Sequence, residues 1–413
     1  MKAVPRFSPG FSRPEWRRAV AALASGHITR GEGAAAFSRD LAVYLGVKHA
    51  LLTPSARMGL WLALRAMDLG PGEIVFPGLT YYAMPAAAKL AGLTPRFVDV
   101  DDRLLLDLDR LPAVLNENTR AIVPTHLYGR TVDMTRLTAL AEERGIPVVE
   151  DIAQALGAKW NGRRVGTFGT LAVATFGPTK NITALGGACL FTDDDEIAER
   201  LQRGMKAVAP ATGLSTLRSL MFAVAMAVAS WPPLFRLVVA PLLKLGRMRG
   251  VDIIAKATDD QPTDFADGVP PWFFQGGVGH LMGEVGRASL AAMDERNARR
   301  RANGERLAAA LSEQNGCLVP QPFPGEESIF MSFPALVDGP EQFADALLAR
   351  GVDTARGYMS ACADLPMFAS EDDCPRARDA VARMVHLPVH PGMAAANIDG
   401  VAAVVRDVLA GSS

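Results

Sequence analysis

Apolar and polar positions alternate between two spacings along the first half of the chain. Segments such as ARMGLWLALRAMDL (residues 56–69) place apolar residues three and four apart, which predicts amphipathic helices. Segments such as EIVFP (73–77) and IPVVED (146–151) are short, continuously apolar runs, typical of strands covered by helices on both faces. Because the two kinds of segment follow one another between residues 50 and 151, the pattern predicts a doubly wound α/β layer with a mostly parallel central sheet.

The pattern changes near residue 280. Residues 283–314, GEVGRASLAAMDERNARRRANGERLAAALSEQ, predict one long, charged, amphipathic helix, and two strand–helix pairs follow it. We therefore expect a large domain over residues 1–280 and a smaller C-terminal α+β domain over residues 281–413. The Arg-rich part of the long helix has no interleaved aromatic residues, so we interpret it as a solvated helix face rather than a nucleic-acid patch.

An unusual apolar insertion occupies residues 212–246 of the large domain. Its stretch SLMFAVAMAVASWPPLF (219–235) carries no charge, but Pro232 and Pro233 interrupt it before the roughly 20 apolar residues that a spanning helix needs. Three structures fit: a buried core helix or subunit contact, a helix pair lying in the membrane interface, and a true membrane span. In the second, the lipid headgroups would meet the basic residues Arg218, Arg236, Lys244, Arg247 and Arg249.

Composition narrows the class of protein. The 413 residues are 49% hydrophobic, which supports a large core, and the formal net charge of −1 offers no electrostatic footprint for nucleic acid. The four cysteines lie far apart with no CxxC pair, so we expect neither a metal site nor disulfides. The N-terminal stretch is too polar and Pro-rich for a signal peptide, which favours a cytoplasmic location.

Three groups of polar residues follow predicted strands, at the edge where open α/β sheets bind ligands. Asp151 ends the strand PVVED, Thr175 and Lys180 follow LAVATF, and Ser55-Ala56-Arg57 precedes a helix. An acid after a strand is often only a helix N-cap, and a loop lysine is usually solvated. The small, hydroxyl-bearing and Gly-rich neighbours of Lys180 instead allow close approach to a bound group.

Together these features match the needs of pyridoxal phosphate. A lysine forms the Schiff base, a carboxylate keeps the pyridine nitrogen protonated, and the N–H groups at a helix N-terminus bind the phosphate. The sequence therefore predicts a pyridoxal-phosphate site at this sheet edge.

The segments EDIAQALGA (150–158) and TFGPTKNITALGG (175–187) closely resemble the DegT/StrS-type aminotransferases, pyridoxal-phosphate enzymes of fold type I that aminate keto-sugars. PSARMGLWLAL, GPGEIVFPGLTYYAM and HLPVHPGM extend the resemblance to about 300 residues. It implies an aspartate-aminotransferase-like large domain, a homodimer, and pyridoxal phosphate as the cofactor.

The resemblance also implies roles for individual residues. Lys180 would carry the Schiff base and then act as general base and acid, Asp151 would pair with the pyridine nitrogen, and Gln154 would lie beside the ring and its phenolic oxygen. His126 matches a family residue near the cofactor and is expected either there or in the core. The positions that stack on the ring or bind the phosphate are occupied here by Tyr81, Ser55, Ala56, Arg57 and Thr175.

One family element is altered. Members carry an Asn-Tyr-Arg segment that reaches across the dimer, but its place here, FFQGGVGHLM (273–282), contains neither the Asn nor the Arg. His280 or Gln275 are the candidates to substitute. His386 and His390 match a family segment to which we assign a structural role.

We therefore expect a transaminase that moves an amino group from glutamate or glutamine to a keto-sugar, either nucleotide-linked or membrane- and lipid-linked. In the second case, residues 215–245 would contact the membrane surface and the enzyme would be peripheral at its inner face. Two alternatives remain open: a keto-sugar dehydratase, in which relatives replace the lysine with histidine, and a non-catalytic, membrane-associated binding protein of the same fold.

Overall fold

A computed structural model describes residues 3–7, 11–248, 271–321 and 323–411. Arg249, one of the basic residues expected at the headgroups, lies outside the described residues. The strands are β1 (His49–Thr53), β2 (Gly72–Pro77), β3 (Leu79–Thr80), β4 (Leu93–Val98), β5 (Thr119–Ile122), β6 (Val149–Asp151), β7 (Lys159–Trp160), β8 (Arg163–Arg164), β9 (Leu171–Thr175), β10 (Ala188–Thr192), β11 (Cys317–Leu318), β12 (Glu326–Glu327), β13 (Phe333–Val337), β14 (Ser360–Ala361) and β15 (Met384–Leu387).

Helices cover both faces of the main sheet and build most of the C-terminal part. They are α1 (Arg13–Ala24), α2 (Gly33–Leu45), α3 (Ala56–Met67), α4 (Ala83–Leu90), α5 (Leu111–Val114), α6 (Met134–Glu143), α7 (Asp195–Met205), α8 (Gly213–Ala229), α9 (Pro232–Leu234), α10 (Ala240–Met248), α11 (His280–Ala291), α12 (Met293–Leu311), α13 (Pro340–Ala349), α14 (Pro375–Arg383) and α15 (Ala395–Ala410). A π-helical turn, Phe235–Val239, joins α9 to α10.

The main sheet has the strand order β1-β10-β9-β6-β5-β2-β4. Hydrogen-bonded ladders build β1-β10-β9-β6 and β4-β2-β5, and the parallel bridges Ile122↔Val148 and Thr125↔Asp151 join the two halves. Within this sheet β10 runs antiparallel to its neighbours and the other strands are parallel. The predicted mostly parallel sheet is confirmed, and it brings the carboxyl ends of β1, β6 and β9 to one edge.

The predicted long helix over residues 283–314 is wrong, because two helices meet at Ala292, between α11 and α12. α11 packs against α1 and α2 of the large domain, and a Cβ built on Gly283 would lie only 2.2 Å from the carbonyl carbon of Gly33. α12 instead carries Leu307 and Leu311 into a separate C-terminal core. The chain bends at Ala292 because the two halves bury their apolar faces in different places.

The C-terminal core surrounds the antiparallel sheet β11-β13-β15, as expected for an α+β domain. Val4 also belongs to this core and bridges to Val352. The N-terminal residues therefore pack against the C-terminal part of the chain, while the boundary at residue 280 stays a prediction.

The apolar insertion forms two helical stretches that meet at 67°, Gly213–Ala229 and Pro232–Arg247. α8 packs through Leu220 and Ala223 onto α1 and α11, and α10 packs through Leu243 onto Leu348 of α13. None of the described helices is by itself long and apolar enough to cross a bilayer, although this bent pair reaches the required length and composition when its halves are combined.

Candidate functional site

A cavity of about 340 Å³ opens where the carboxyl edge of the main sheet meets the C-terminal part of the chain. Its wall includes every residue for which the sequence predicts a direct cofactor contact. These residues are Ser55, Ala56, Arg57, Tyr81, Asp151, Gln154, Thr175 and Lys180.

Asp151 is the last residue of β6 and is only 3% exposed. Its backbone N–H donates to the carbonyl of Pro124 at 2.9 Å, and its Oδ1 accepts the N–H of Ala153 at 3.0 Å. Burial raises the pKa of the Asp151 carboxyl, while the Ala153 N–H, the Lys180 charge and His126 act in the opposite direction. A cationic group beside Asp151 would therefore favour its ionised form.

Lys180 lies in the turn after β9, where its N–H donates to the carbonyl of Gly177 at 3.1 Å. β9 is the parallel neighbour of β6, so the sheet brings Lys180 and Asp151 to the same cavity. Burial lowers the pKa of the Lys180 amine, and the charge of Asp151 raises it. The site thus favours the neutral, nucleophilic form of this amine more than water does.

Ser55 is the N-cap of α3 and begins the predicted phosphate end of the cavity. Its backbone is extended, with φ −157°, and its Oγ accepts the N–H of Met58 at 3.3 Å. The first-turn N–H groups and the helix dipole suit an anion at this N-terminus. Thr175 lines the same cavity, and its Oγ1 donates to the carbonyl of Gly187 at 3.3 Å.

Gln154 and Tyr81 lie on the cavity wall between these groups. The Oε1 of Gln154 accepts the N–H of Tyr128 at 2.9 Å, which fixes the orientation of the amide. Tyr128 has a φ of 60°, in the left-handed region that non-glycine residues seldom adopt. The Tyr81 ring is 5.0 Å from that of Tyr82, at an interplanar angle of 56°.

His126 does not line the cavity; it is fully buried behind Asp151. Its N–H donates to the Asp151 carbonyl at 3.0 Å, and its Nδ1 accepts the N–H of Val132 at 3.2 Å. Because Nδ1 is an acceptor, the proton of the neutral ring lies on Nε2, 3.3 Å from Glu150 Oε2. His126 thus supports the backbone of Asp151 rather than contacting a ligand.

Glu150 is a buried carboxylate that sequence analysis did not single out. It accepts the N–H groups of Gly166, Phe168 and Gly169, each at 2.7 Å. Side chains of consecutive strand residues point to opposite faces, so Glu150 and Asp151 serve different sides of β6. The sequence signal for this buried carboxylate was the pair of acids, Glu150 and Asp151, at the end of an apolar strand.

His280 and Gln275, the candidates for the missing family segment, are not among the cavity residues of this chain. The Nδ1 of His280 accepts the N–H of Gly33 at 2.9 Å, at the start of α2. Gln275 is exposed. Neither residue therefore contributes to the cavity of its own chain.

Three cavity residues were assigned other roles from the sequence. His386 and His390 were expected to be structural, yet both line the cavity. Arg300 was placed on a solvated helix face, which is wrong, since it is buried in the cavity wall. Arg300 recurs with Asn297 and Leu307 on the buried stripe of α12, so the three- and four-residue spacing was the missed signal.

Metal chemistry finds no support in the described part of the chain, where no group of three His, Cys, Asp or Glu residues is placed to hold an ion. All four cysteines are buried and free. Of the charged residues that line the cavity, the described part of the chain provides one acid, Asp151, and four bases: Arg6, Arg57, Lys180 and Arg300. Because Arg6 is paired with Asp353, three bases remain against one acid, and the cavity is suited to anionic ligands.

The sequence matches the model of the DegT/DnrJ/EryC1/StrS aminotransferase family over residues 12–215 and 279–406. These ranges leave out most of the apolar insertion.

Among curated relatives, the UDP-N-acetyl-3-dehydro-alpha-D-glucosamine 3-aminotransferase of Acidithiobacillus ferrooxidans is 41% identical over 179 residues, or 43% of this chain and 48% of that relative. The chain thus matches about half the length of that relative. The dTDP-3-amino-3,4,6-trideoxy-alpha-D-glucose transaminase of Streptomyces venezuelae is 28% identical over 387 residues, 92% of this chain and 88% of the relative. The solved aminotransferase TlmJ of Streptoalloteichus hindustanus has a TM-score of 0.77 and 25% identity, with 99% of each chain covered.

Proposed function

Since the chain belongs to the DegT/DnrJ/EryC1/StrS aminotransferase family, we propose that it transfers an amino group from glutamate or glutamine to the carbonyl of a keto-sugar, with pyridoxal phosphate as the cofactor. The observation that carries the proposal is the placement of Lys180 and Asp151 in one cavity beside the N-terminus of α3. The transaminase relatives named for amino-sugars support the keto-sugar acceptor.

The residues present fit the cofactor. Ser55 and Thr175, with the N-terminus of α3, would hold the phosphate, and Arg57 beside them adds a cation. Asp151 would hold the pyridine nitrogen, Tyr81 would cover the ring, and Gln154 would face its phenolic oxygen. When bound, pyridoxal phosphate supplies a carbonyl carbon that condenses with amines and a ring that takes up an electron pair.

The side chains of this cavity then have separate tasks. Lys180 would hold the cofactor covalently, and its freed amine would then accept and return a proton as base and acid. This task requires a neutral amine, which burial of Lys180 favours. Asp151 would keep a positive charge on the ring nitrogen, because a cationic neighbour favours its ionised form.

The two alternative functions have less support. Relatives that dehydrate keto-sugars carry histidine where this chain has Lys180, so the lysine favours amino transfer. A non-catalytic binding protein would not need a half-buried amine beside a buried carboxylate in one cavity, since burying such groups is costly without a function.

We propose in addition that the enzyme is cytoplasmic and peripheral, with the apolar insertion lying on the inner membrane face. Large apolar side chains of the insertion are exposed: Leu237 is 74%, Met221 71% and Trp231 61% accessible. Extended exposed apolar surface on a soluble protein usually marks an interaction site. A membrane contact would favour a lipid-linked keto-sugar as the acceptor; a nucleotide-linked keto-sugar is the alternative acceptor.

The exposed positions form stripes, which supports a planar partner. Leu214, Met221 and Val228 recur every seven residues along α8, on the face opposite buried Leu220 and Ala223. Leu242 and Leu245 of α10 and Val238 of the preceding π-helical turn are exposed, whereas Leu243 is buried. Each helix thus has one apolar stripe against the protein and a second one facing outward.

The charges of the insertion suit anionic lipids. Residues 207–247 contain no acid, and Arg218 and Arg236 are exposed. Of the other bases expected at the headgroups, Arg247 pairs instead with Asp345 at 3.1 Å and Lys244 donates to the carbonyl of Ala349 at 3.1 Å. Interfacial helices combine such apolar faces with basic residues at headgroup depth. A second copy of this chain is the other candidate occupant; the family resemblance supports a homodimer, which we also propose.

The experiment that tests the function is reconstitution of the purified protein with pyridoxal phosphate. We expect a visible absorption band that disappears when glutamate is added and returns with a keto-sugar acceptor. A protein that binds no cofactor would contradict the proposal.

A further inference from the structure

Arg300 is a buried cation without an anionic partner. It lies on α12, is 4% exposed, and lines the cavity that holds Lys180 and Asp151. Its Nη1 donates to the Oδ1 of Asn297, one turn earlier, at 3.2 Å. Among the residues that the structure describes, no carboxylate pairs with it.

The other two buried arginines in the described part of the chain are each paired with a carboxylate. Arg6 binds Asp353 through two hydrogen bonds of 2.9 and 2.8 Å, and Arg130 binds Glu326 through bonds of 2.9 and 2.7 Å. Both are bidentate pairs, the geometry in which arginine best compensates the loss of water. Of the three buried arginines in the described part of the chain, Arg300 alone lacks a carboxylate.

A buried and unpaired guanidinium is costly for the fold. Burial, and then the charge of Arg296, lowers the pKa of Arg300 to about 10, so the group remains charged at neutral pH. A cost of this kind is offset when a ligand supplies the missing negative charge. The position of Arg300 in the cavity wall makes the substrate the available source.

The neighbouring residue His390 points to the same conclusion. It lines the same cavity, where burial and then the charge of Arg300 lower its pKa to about 4, so the ring is neutral at neutral pH and supplies Arg300 with no negative charge. α12 holds this segment in place, because the amide nitrogen of Asn303 donates to the His390 carbonyl at 3.2 Å. A cation and a neutral imidazole thus occupy one wall, on elements of the C-terminal half of the chain.

We propose that Arg300 binds an anionic oxygen group of a substrate, a carboxylate or a phosphate, at a second anion subsite separate from the phosphate turn at Ser55. The proposal rests on the transaminase function above. Two substrates could supply the group: the amino-acid donor through a carboxylate, or the acceptor through the diphosphate of a nucleotide-linked sugar. Arg300 is then a specificity-determining residue for the half-reaction in which that substrate takes part.

The test is calorimetric titration of the pyridoxal-phosphate-loaded enzyme with two probes, 2-oxoglutarate for the donor side and UDP for the acceptor side. Arg300→Gln should lower the affinity for the relevant probe at least about tenfold, as expected when a hydrogen-bonded charge pair is lost. Arg299→Gln is the matched control, because Arg299 is the adjacent helix residue, exposed and paired with Glu295 at 2.6 Å. It should bind both probes like the wild type.

The pattern of loss identifies the source of the anion. Weaker binding of 2-oxoglutarate alone assigns the subsite to the donor carboxylate. Weaker binding of UDP alone assigns it to the acceptor diphosphate. A folded Arg300→Gln protein that binds both probes like the wild type, or a wild type that binds neither, overturns the proposal. Retention of the cofactor's visible band in Arg300→Gln separates this failure from failure of the transaminase function.

A second variant serves if Arg300→Gln does not fold. Arg300→Lys keeps the charge but replaces the planar guanidinium with a single ammonium group. It should lower the affinity for the affected probe several-fold and leave the affinity for the other probe unchanged. Wild-type affinity of folded Arg300→Lys for both probes would contradict direct contact.

Discussion

Asp151, at the end of β6, and Lys180, in the turn that follows the parallel strand β9, modify each other's ionisation across one cavity. Burial disfavours the charged form of both groups, whereas the charge of each favours the charged form of the other. In the cofactor-free protein burial is the larger effect, so the pKa of Asp151 is raised and that of Lys180 is lowered. A cofactor that places a positive nitrogen near Asp151 and reacts with the amine of Lys180 would favour the ionised form of the Asp151 carboxyl.

Replacement of Asp151 by Asn should shift the pH at which the cofactor-free protein captures pyridoxal phosphate. Capture requires the neutral Lys180 amine, whose pKa burial holds below its ordinary value of 10.5 and Asp151 partly raises. Without that negative charge the Lys180 pKa falls further, so the half-maximal capture rate should move to lower pH. Stopped-flow absorbance measures this midpoint, and an unchanged or higher midpoint would show that the two groups do not interact.

The same Asp151→Asn enzyme should bind pyridoxal phosphate yet transaminate slowly. An amide cannot hold a proton on the ring nitrogen, and loss of one electrostatic contact of this kind costs roughly 10²- to 10³-fold in rate. Single-turnover bleaching with glutamate measures the effect. Glu199→Gln, an exposed acid on α7, is the control and should react at the wild-type rate.

The sequence predicted the fold and the sheet-edge part of the site because both follow from local patterns. Asp151, Lys180 and Ser55 each follow an apolar strand, and parallel strands necessarily bring their carboxyl ends to one edge. The predicted family is confirmed over residues 12–215 and 279–406. The roles of the individual site residues stay predictions.

The parts that the sequence did not predict depend on contacts between distant segments. Nothing local marks Ala292 as a break. The far ends of the two helices enter different cores, with Leu281 of α11 in one and Leu311 of α12 in the other. Arg300 stands in a run of arginines that resembles a solvated surface, and only the packing of α12 against the cavity buries it. His386 and His390 likewise reach the cavity because β15 pairs with β13.

Replacing Met221 and Leu237 together by Glu should weaken binding to liposomes that contain anionic lipid. Each exposed side chain would lose about 1.5–3 kcal/mol of apolar burial, and the added charges repel the headgroups, so partitioning should fall at least about tenfold. Co-sedimentation at low salt measures the bound fraction.

Val43→Glu is the control for this double variant, because Val43 is exposed on α2, outside the insertion. Its liposome binding should equal that of the wild type. The membrane proposal is wrong if the wild type does not bind liposomes and the double variant changes from dimer to monomer in light scattering. The apolar stripes are then a subunit contact.

Glu150→Gln should destabilise the protein without touching a ligand. Glu150 accepts three N–H groups at 2.7 Å and faces His126. The NH₂ group of a glutamine at this position could not accept hydrogen bonds from these donors. We expect a loss of about 2–4 kcal/mol in unfolding free energy, from charged hydrogen bonds of this strength. Urea unfolding compares it with exposed Glu143→Gln, and equal midpoints would exclude a structural role.

The most direct test of the central claim is to locate the covalent attachment of the cofactor. The protein is loaded with pyridoxal phosphate, reduced with borohydride, digested and analysed by mass spectrometry, with exposed Lys206→Ala as the control. We predict the pyridoxyl mass on the peptide containing Lys180 in the wild type and the control, and on no peptide in Lys180→Ala. A label on another lysine, or an unlabelled wild type, would contradict the account.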